Sequence, residues 1–431
     1  MNGSRTGYRI AMVAACPFPS LRGSQVLIRE LAEALAAAGH EVHVVAYPAG
    51  EHLVPVKGMA IHRARTWWGL DGCGSWWAKL VLDVALILAL YRVVRAHAID
   101  VIHAHNYEGP LVGYAVRWLL GTPVVYHTHN AMADELPYYF QGSLASRLAR
   151  RFGSLLDRVV PLGADHCLAL TDELSGYLRR KGVPRPRITV VPPAISQPAA
   201  GGLSASRLFP HNEVVLYAGN IDPYQGIDVL LLAYARLRER RPGVLLVIAA
   251  HPAKAPAVRG RLAELAQLPG VRVVMAQTFG ATRPILNRAD VVVCCRSSWS
   301  GFPIKLLNFM SFGRAIVVCK SAAKAVSDGV SGVVVPDEDD KAMADAIEML
   351  LADGQRRAEL GAAARRAVQR GHSWAVAVSL IETVYAGVVG DDSAGGIDGE
   401  KRRFGGVQNH LMASTEDRIS PRAQTRRTGS E

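Results

Sequence analysis

Short apolar runs recur along most of the chain, each followed by a polar or Gly-rich turn and then by apolar residues three and four apart. That alternation predicts strands buried on both faces of a parallel sheet, with helices covering them. A strand is expected over 8–16, a Pro/Gly loop over 17–23 and a helix over 24–38, where Val26, Leu27, Leu31 and Leu35 share a face. Gly39-His40 closes the helix and residues 41–47 form the next strand, which makes a Rossmann-type β-loop-α-β opening. Four tryptophans, Trp67, Trp68, Trp76 and Trp77, bracket a Gly-rich turn ahead of a strongly apolar helix over 79–96. That helix nears the length of a membrane span, but Asp83 inside it and Arg92 and Arg95 near its end favour packing on a sheet. Further strands are expected over 100–106, 123–130, 165–171 and 188–191, with helices over 109–120, 144–159 and 172–181.

Residues 196–211 are rich in Ala, Gly, Ser and Pro, show no period, and read as a linker. The alternation then restarts. Strands are expected over 214–218, 244–250, 271–275, 291–295, 315–318 and 333–335, and helices over 227–240, 258–267, 282–288, 337–352 and 355–369. Between the last-but-two and last-but-one strands, a polar turn over 296–301 leads to a helix opened by Pro303 and stopped by Gly313. A final helix is expected over 373–389, and residues 390–431, without periodic apolar positions, read as a disordered tail. The reading is therefore α/β with two lobes: 1–195 together with the helix 373–389, and 212–372.

Composition sharpens this. With 431 residues, two cores are the natural expectation, and the formal charge of +12 resides in the folded part because residues 391–431 balance acid against base. A basic body suits phosphates or an anionic lipid surface; no nucleic-acid module accompanies it, so no nucleic-acid partner is expected. The helix over 144–159 carries Arg147, Arg150, Arg151 and Arg158, and reads either as a lipid-facing helix or as a solvated face. The six cysteines show no C-x-x-C spacing and read as small buried hydrophobes of a reducing, cytoplasmic compartment; no metal site is expected.

Candidate chemistry gathers at strand ends. Gly301, Phe302, Pro303 and Ile304 lie at a helix mouth, where free N–H groups favour an anion, with Lys305 and Asn308 three apart on one face nearby. Arg296 stands at the end of the preceding strand. His103 and His105 end one strand of the first half, and His127, His129 and Asn130 another, where open α/β sheets place ligands. Residues 133–140 form a polar-aromatic segment at the same rim, fit to touch an acceptor or to serve as a loop.

The stretch from Ser300 to Gly313 resembles the nucleotide-binding motif of the retaining glycosyltransferases of family 4, which have the GT-B fold. That motif reads Glu-Gly-Phe-Gly, three residues, then Glu-Ala-Met-Ala-x-Gly; here Ser300 and Asn308 stand at the two glutamate places. The loop around Gly23 and Ser24 and the Gly39-His40-Glu41-Val42 segment are also similar to that family, whose loop there faces the donor. The resemblance implies two Rossmann-like domains facing across a cleft, with a C-terminal helix crossing back to the first.

It further implies transfer of a sugar from a nucleotide sugar to a glycan or lipid-linked hydroxyl, with retention, no cofactor and no metal. His129 matches the histidine beside the transferred sugar. His103 and His105 are expected to shape the wall on the acceptor side, with Asn130. The places of an Arg and a Lys in the family's phosphate loop fall on Asn220 and Gln225. Lys305 and Arg296 are then the expected replacements for the missing cations. Peripheral contact with the anionic inner face of the cytoplasmic membrane follows from the basic first lobe. Two alternatives stay open: a non-catalytic GT-B protein that binds a glycan, nucleotide or partner, and a nucleotide-sugar epimerase.

Overall fold

The computed structural model describes residues 7–19, 23–50, 54–66, 76–140, 142–196, 209, 212–250, 256–276 and 279–390. Trp67 and Trp68, nearly all of the expected linker, and residues 391–431 lie outside the described residues.

The first sheet contains β1 (Arg9–Ala14), β2 (Glu41–Ala46), β3 (Met59–Arg63), β4 (Val101–His105), β5 (Val124–Thr128), β6 (His166–Ala169) and β7 (Ile188–Val190). Its order is β3-β2-β1-β4-β5-β6-β7, with every pairing parallel. Its helices are α1 (Gly23–Ala37), α2 (Trp76–His97), α3 (Glu108–Leu120), α4 (Met132–Glu135), α5 (Ser143–Gly163) and α6 (Asp172–Arg180). The helix α2 buries Leu82, Leu86 and Leu90 against Val45, Ile102 and Val124. Its one acid, Asp83, accepts a hydrogen bond from Tyr47 at 2.5 Å, so the charge inside an apolar helix has a sheet-side partner.

The second sheet runs β10-β9-β8-β11-β12-β13, again parallel, from β8 (Val214–Ala218), β9 (Leu245–Ala250), β10 (Val271–Met275), β11 (Val291–Cys294), β12 (Ala315–Cys319) and β13 (Val333–Val335). It is covered by α7 (Ile227–Arg240), α8 (Pro256–Gln267), α9 (Phe279–Arg288), α10 (Ile304–Ser311), α11 (Asp340–Ala352) and α12 (Gly354–Gly371). Finally α13 (Trp374–Val389) returns to the first lobe. Its Ala377, Ile381 and Tyr385 share a core with Ile10, Met12, Ile28 and Leu31, and its Glu382 meets His40 at 3.0 Å.

Three readings need correction. Pro303 is not the first helical residue: it is extended (φ −77, ψ 91), and α10 begins at Ile304. The proline fixes the entry to the helix from just outside it. Gly313 does adopt the left-handed conformation past the helix end (φ 65). The edge strand β3 was not anticipated, because four of its five residues are only half-buried and its sequence, Met-Ala-Ile-His-Arg, lacks a long apolar run. The helix over 144–159 is longer, reaching Gly163 through Pro161.

Candidate active-site cleft

Lys305 lies in the first turn of α10, and its ammonium turns back under the loop that follows β8. Nζ donates to Gln225 Oε1 at 2.7 Å and to the Tyr217 hydroxyl at 3.3 Å, and sits 4.3 Å from the centroid of the Tyr217 ring. Burial lowers the lysine pKa. An ammonium held at a helix N-terminus, against the dipole and short of water, is suited to an arriving anion. Gly226 lets the loop close: it is left-handed (φ 66), and a Cβ there would stand 2.0 Å from the Cys295 carbonyl oxygen. Asn220 is exposed, donates to Asp222 and accepts from the Tyr217 hydroxyl through its carbonyl. Asn220, Gln225 and Lys305 thus form one cluster around Tyr217.

Arg296 follows the end of β11. Its guanidinium lies 5.2 Å from the Tyr224 ring centroid and donates to Ser298 Oγ at 3.1 Å, while its buried Nε has no hydrogen-bond partner. Beyond it, one oxygen of Asp134, from the first lobe, gathers three donors of the second: Ser298 Oγ at 2.8 Å, Ser300 Oγ at 2.8 Å and the Ser300 N–H at 3.1 Å. Asp134 is held there from behind. The buried Asp157 of α5 accepts from the Met132 N–H (2.8 Å), the Ala133 N–H (3.0 Å) and the Tyr177 hydroxyl (2.7 Å), and also from Tyr107. These bonds pin the start of α4, and Gly153 allows the close approach, since a Cβ there would meet Met132 backbone at 2.5 Å. Beside Asp134, burial raises the Glu135 carboxyl pKa, and the Asp134 and Asp222 charges add to that rise. Tyr138 packs edge-on to Tyr224 and Tyr177 edge-on to Trp299, at centroid distances of 6.1 and 5.3 Å, and Lys324 pairs with Glu173. Leu27 of α1 shares an apolar cluster with Phe302 and Leu306, which brings the α1 start, with Gly23 and Ser24, towards α10.

Five residues before Asp134, His129 belongs to a packed group of four imidazoles. His103 Nε2 meets His127 Nδ1 at 3.1 Å, His105 Nδ1 meets His129 Nε2 at 3.0 Å, and His103 Nδ1 meets the Tyr385 hydroxyl of α13 at 2.5 Å. His105 Nε2 and His127 Nε2 are buried without a partner. His103 and His105 are fully enclosed, so they stand behind the cleft wall and not in it; His129 keeps a sliver of surface. The parallel pairing of β4 with β5 stacks them in the sheet's core, behind the wall they were expected to shape. Burial holds the set neutral, pushing His103 down to about 3 and His129 to about 4, with His105 and His127 also well below the usual value. The unfolded chain takes up these protons near an ordinary pKa of about 6.5 and the folded chain does not. The unfolding temperature is therefore expected to fall as pH drops from 6.5 to 5, above the usual carboxylate range, with proton uptake on unfolding. Scanning calorimetry at pH 7, 6 and 5 checks this, and a flat profile would contradict it.

The expected donor-side residues fall into two groups. Gln225 and Lys305 meet directly, and Asn220 joins them through Tyr217; Arg296 and Ser300 meet through Ser298 and Asp134. Gly301, Phe302 and Pro303 are buried along the approach to α10, and Ile304 and Asn308 are half-buried on it. Asn130 lends its carbonyl to the Tyr107 hydroxyl at 3.1 Å. Sequence reasoning named the segment that holds Asp134 but gave the aspartate no role, and it missed Ser298, Asp157, Tyr217 and Tyr385.

Family models described as "Glycosyl transferase 4-like domain" and "Glycosyl transferases group 1" match residues 22–194 and 212–353. The chain is 30% identical to D-inositol 3-phosphate glycosyltransferase of Pseudarthrobacter chlorophenolicus over 85% of this chain and 90% of the relative. Among solved structures it is similar to sucrose-phosphate synthase of Thermosynechococcus elongatus (TM-score 0.74, 20% identity, 88% of this chain and 98% of that one). It is also similar to HepE of Anabaena in complex with UDP-glucose (TM-score 0.68, 17% identity, 88% and 100%). These likenesses agree with two Rossmann-like lobes of GT-B type, and the chain belongs to the family 4 glycosyltransferases.

Proposed function

We propose that this glycosyltransferase moves a hexose-type unit from a nucleotide sugar to a hydroxyl of a glycan or lipid-linked acceptor, with retention of anomeric configuration and without a metal or cofactor. The observation that carries this reading is the Lys305 ammonium drawn into the mouth of α10. The leaving diphosphate would take its charge stabilisation from Lys305 and from the N–H groups of Gly301, Phe302 and Ile304, with Arg296 adjacent. Asn220 and Gln225 contribute hydrogen bonds without net charge. Asp134 would stand in for the acid that the resembling motif has at position 300: its carboxylate lies on Ser300 itself. His129 gives Nε2 to His105, so a bond to the sugar would come from its Nδ1. The HepE complex with UDP-glucose supports a nucleotide-sugar donor, and the name of the matched relative, a glycosyltransferase, supports transfer to an acceptor hydroxyl. Nucleoside diphosphate release from a panel of nucleotide sugars, with and without acceptor, tests the function; no release from any of them would defeat it.

The site works, on this reading, in the cytoplasm at the membrane's inner face. The support is α5, whose exposed Leu144, Leu148, Phe152, Leu155, Val159 and Leu162 fall in one helical stripe flanked by exposed Arg147, Arg151 and Arg158. A merely solvated face would not present six large apolar side chains in register. The protein is expected to float with phosphatidylglycerol vesicles and not with phosphatidylcholine vesicles. The pair Leu148→Glu and Phe152→Glu should weaken that binding about tenfold or more. Equal flotation with both lipids, or no effect of the pair, would count against membrane contact.

A further inference from the structure

A second histidine group lies on the first lobe, separate from the cleft. The strand β2 carries His43, the edge strand β3 carries His62, and α2 ends at His97. In the sheet order, β1 stands between these strands and the β4–β5 pair that holds the buried imidazoles. The register pairs His43 with Ala60 and Val45 with His62, so the two histidines are diagonal neighbours on one face. His43 Nδ1 lies 2.9 Å from His62 Nε2, the His97 ring is 4.0 Å from the His43 ring by centroids, and one nitrogen from each of the three falls within 4.8 Å of the others.

Glu41 decides the tautomer. His43 Nε2 lies 2.9 Å from Glu41 Oε1, and a carboxylate only accepts, so Nε2 carries the proton. The neutral ring then presents a bare lone pair at Nδ1, aimed at His62. A carboxylate gripping the far nitrogen of an imidazole is the arrangement that orients a histidine ligand and raises its basicity. His97 closes the set from the carbonyl end of α2, where the helix dipole favours positive charge. Three nitrogens, each about 2.0–2.1 Å from a tetrahedral zinc, would stand about 3.3–3.4 Å apart, so small side-chain rotations suffice. His62 and His97 are half-buried, which leaves the site reachable from solvent.

We propose that His43, His62 and His97, oriented by Glu41, form a binding site for a divalent transition-metal ion of the zinc class, with water as a fourth ligand. An all-imidazole set suits zinc, nickel or copper and not magnesium or calcium. The ion ties the edge strand β3 and the end of α2 to β2, and so stabilises the first lobe; it takes no part in sugar transfer, and the assignment does not depend on that reading.

The test uses the full chain, stripped with a chelator and dialysed, then titrated with zinc chloride by calorimetry and by thermal unfolding. One zinc per chain and a rise in unfolding temperature are expected. The His62→Ala/His97→Ala pair should lose both while keeping donor turnover and the circular dichroism spectrum, and Glu41→Gln should bind zinc about 10- to 100-fold more weakly. Absence of zinc binding by the parent chain would overturn the proposal. So would zinc binding that survives in the His62→Ala/His97→Ala pair but is lost in His127→Asn, since the ion would then belong to the buried group beside the cleft.

Discussion

Lys305→Ala is expected to lower kcat/KM for the nucleotide-sugar donor by about 100- to 1,000-fold, the scale on which a single charge-stabilising group in a desolvated site acts. On the proposed reading, Asn220 and Gln225 stand where the resembling family has two cations in the phosphate loop. Lys305 reaches into the same loop from the other side, held by Gln225 and Tyr217. Its loss leaves the α10 mouth with backbone N–H groups and Arg296 alone. Stability should change little: the variant removes a half-buried cation but leaves the buried Gln225 amide oxygen without its donor, while Tyr217 keeps its bond to the Asn220 carbonyl. Steady-state kinetics beside a melting curve separate the two effects. A variant with parental turnover would remove Lys305 from the chemistry.

Asp134→Ala is the second large effect, expected to lower kcat/KM by about 10- to 100-fold. Hydrogen bonds to a charged group contribute about 1.5–3 kcal/mol each, and this carboxylate oxygen receives three across the cleft. The distinction that matters is between a tie and a charge. Asp134→Asn keeps an acceptor for Ser298 and Ser300 and removes the charge, so parental activity in that variant would reduce Asp134 to a tie between lobes. If the carboxylate itself is needed at position 300, Ser300→Glu should restore much of the activity of Asp134→Ala. Placed alone in the parent chain, the same Ser300→Glu change should be harmful, since two carboxylates would then crowd one pocket.

The architecture was readable because parallel strands are buried on both faces and therefore appear as unbroken runs such as Val291-Val292-Val293-Cys294, with helical periods between them. The strand β3 escaped because an edge strand buries little and its apolar positions are few. The motif frame from Ser300 to Gly313 locates the α10 mouth, with Lys305 in the first turn of that helix. Its partners were not legible: nothing in the spacing shows that the ammonium folds back onto Tyr217. The Asp134 contact joins residues 164 and 166 apart and depends on how the lobes meet, which no local pattern records. The same is true of His43, His62 and His97, which only strand pairing and the end of α2 bring together. Four histidines stand at strand ends in the sequence, but alternation alone does not separate a fully enclosed His103 from a His129 that keeps a sliver of surface.

The most direct test is a crystal structure with a nucleoside diphosphate bound. The account predicts its β-phosphate within hydrogen-bond reach of Lys305 Nζ and of the N–H groups entering α10, with Gln225 displaced from the ammonium or sharing it. A diphosphate lodged elsewhere, with Lys305 still closed onto Gln225 and the cleft between the lobes vacant, would contradict it.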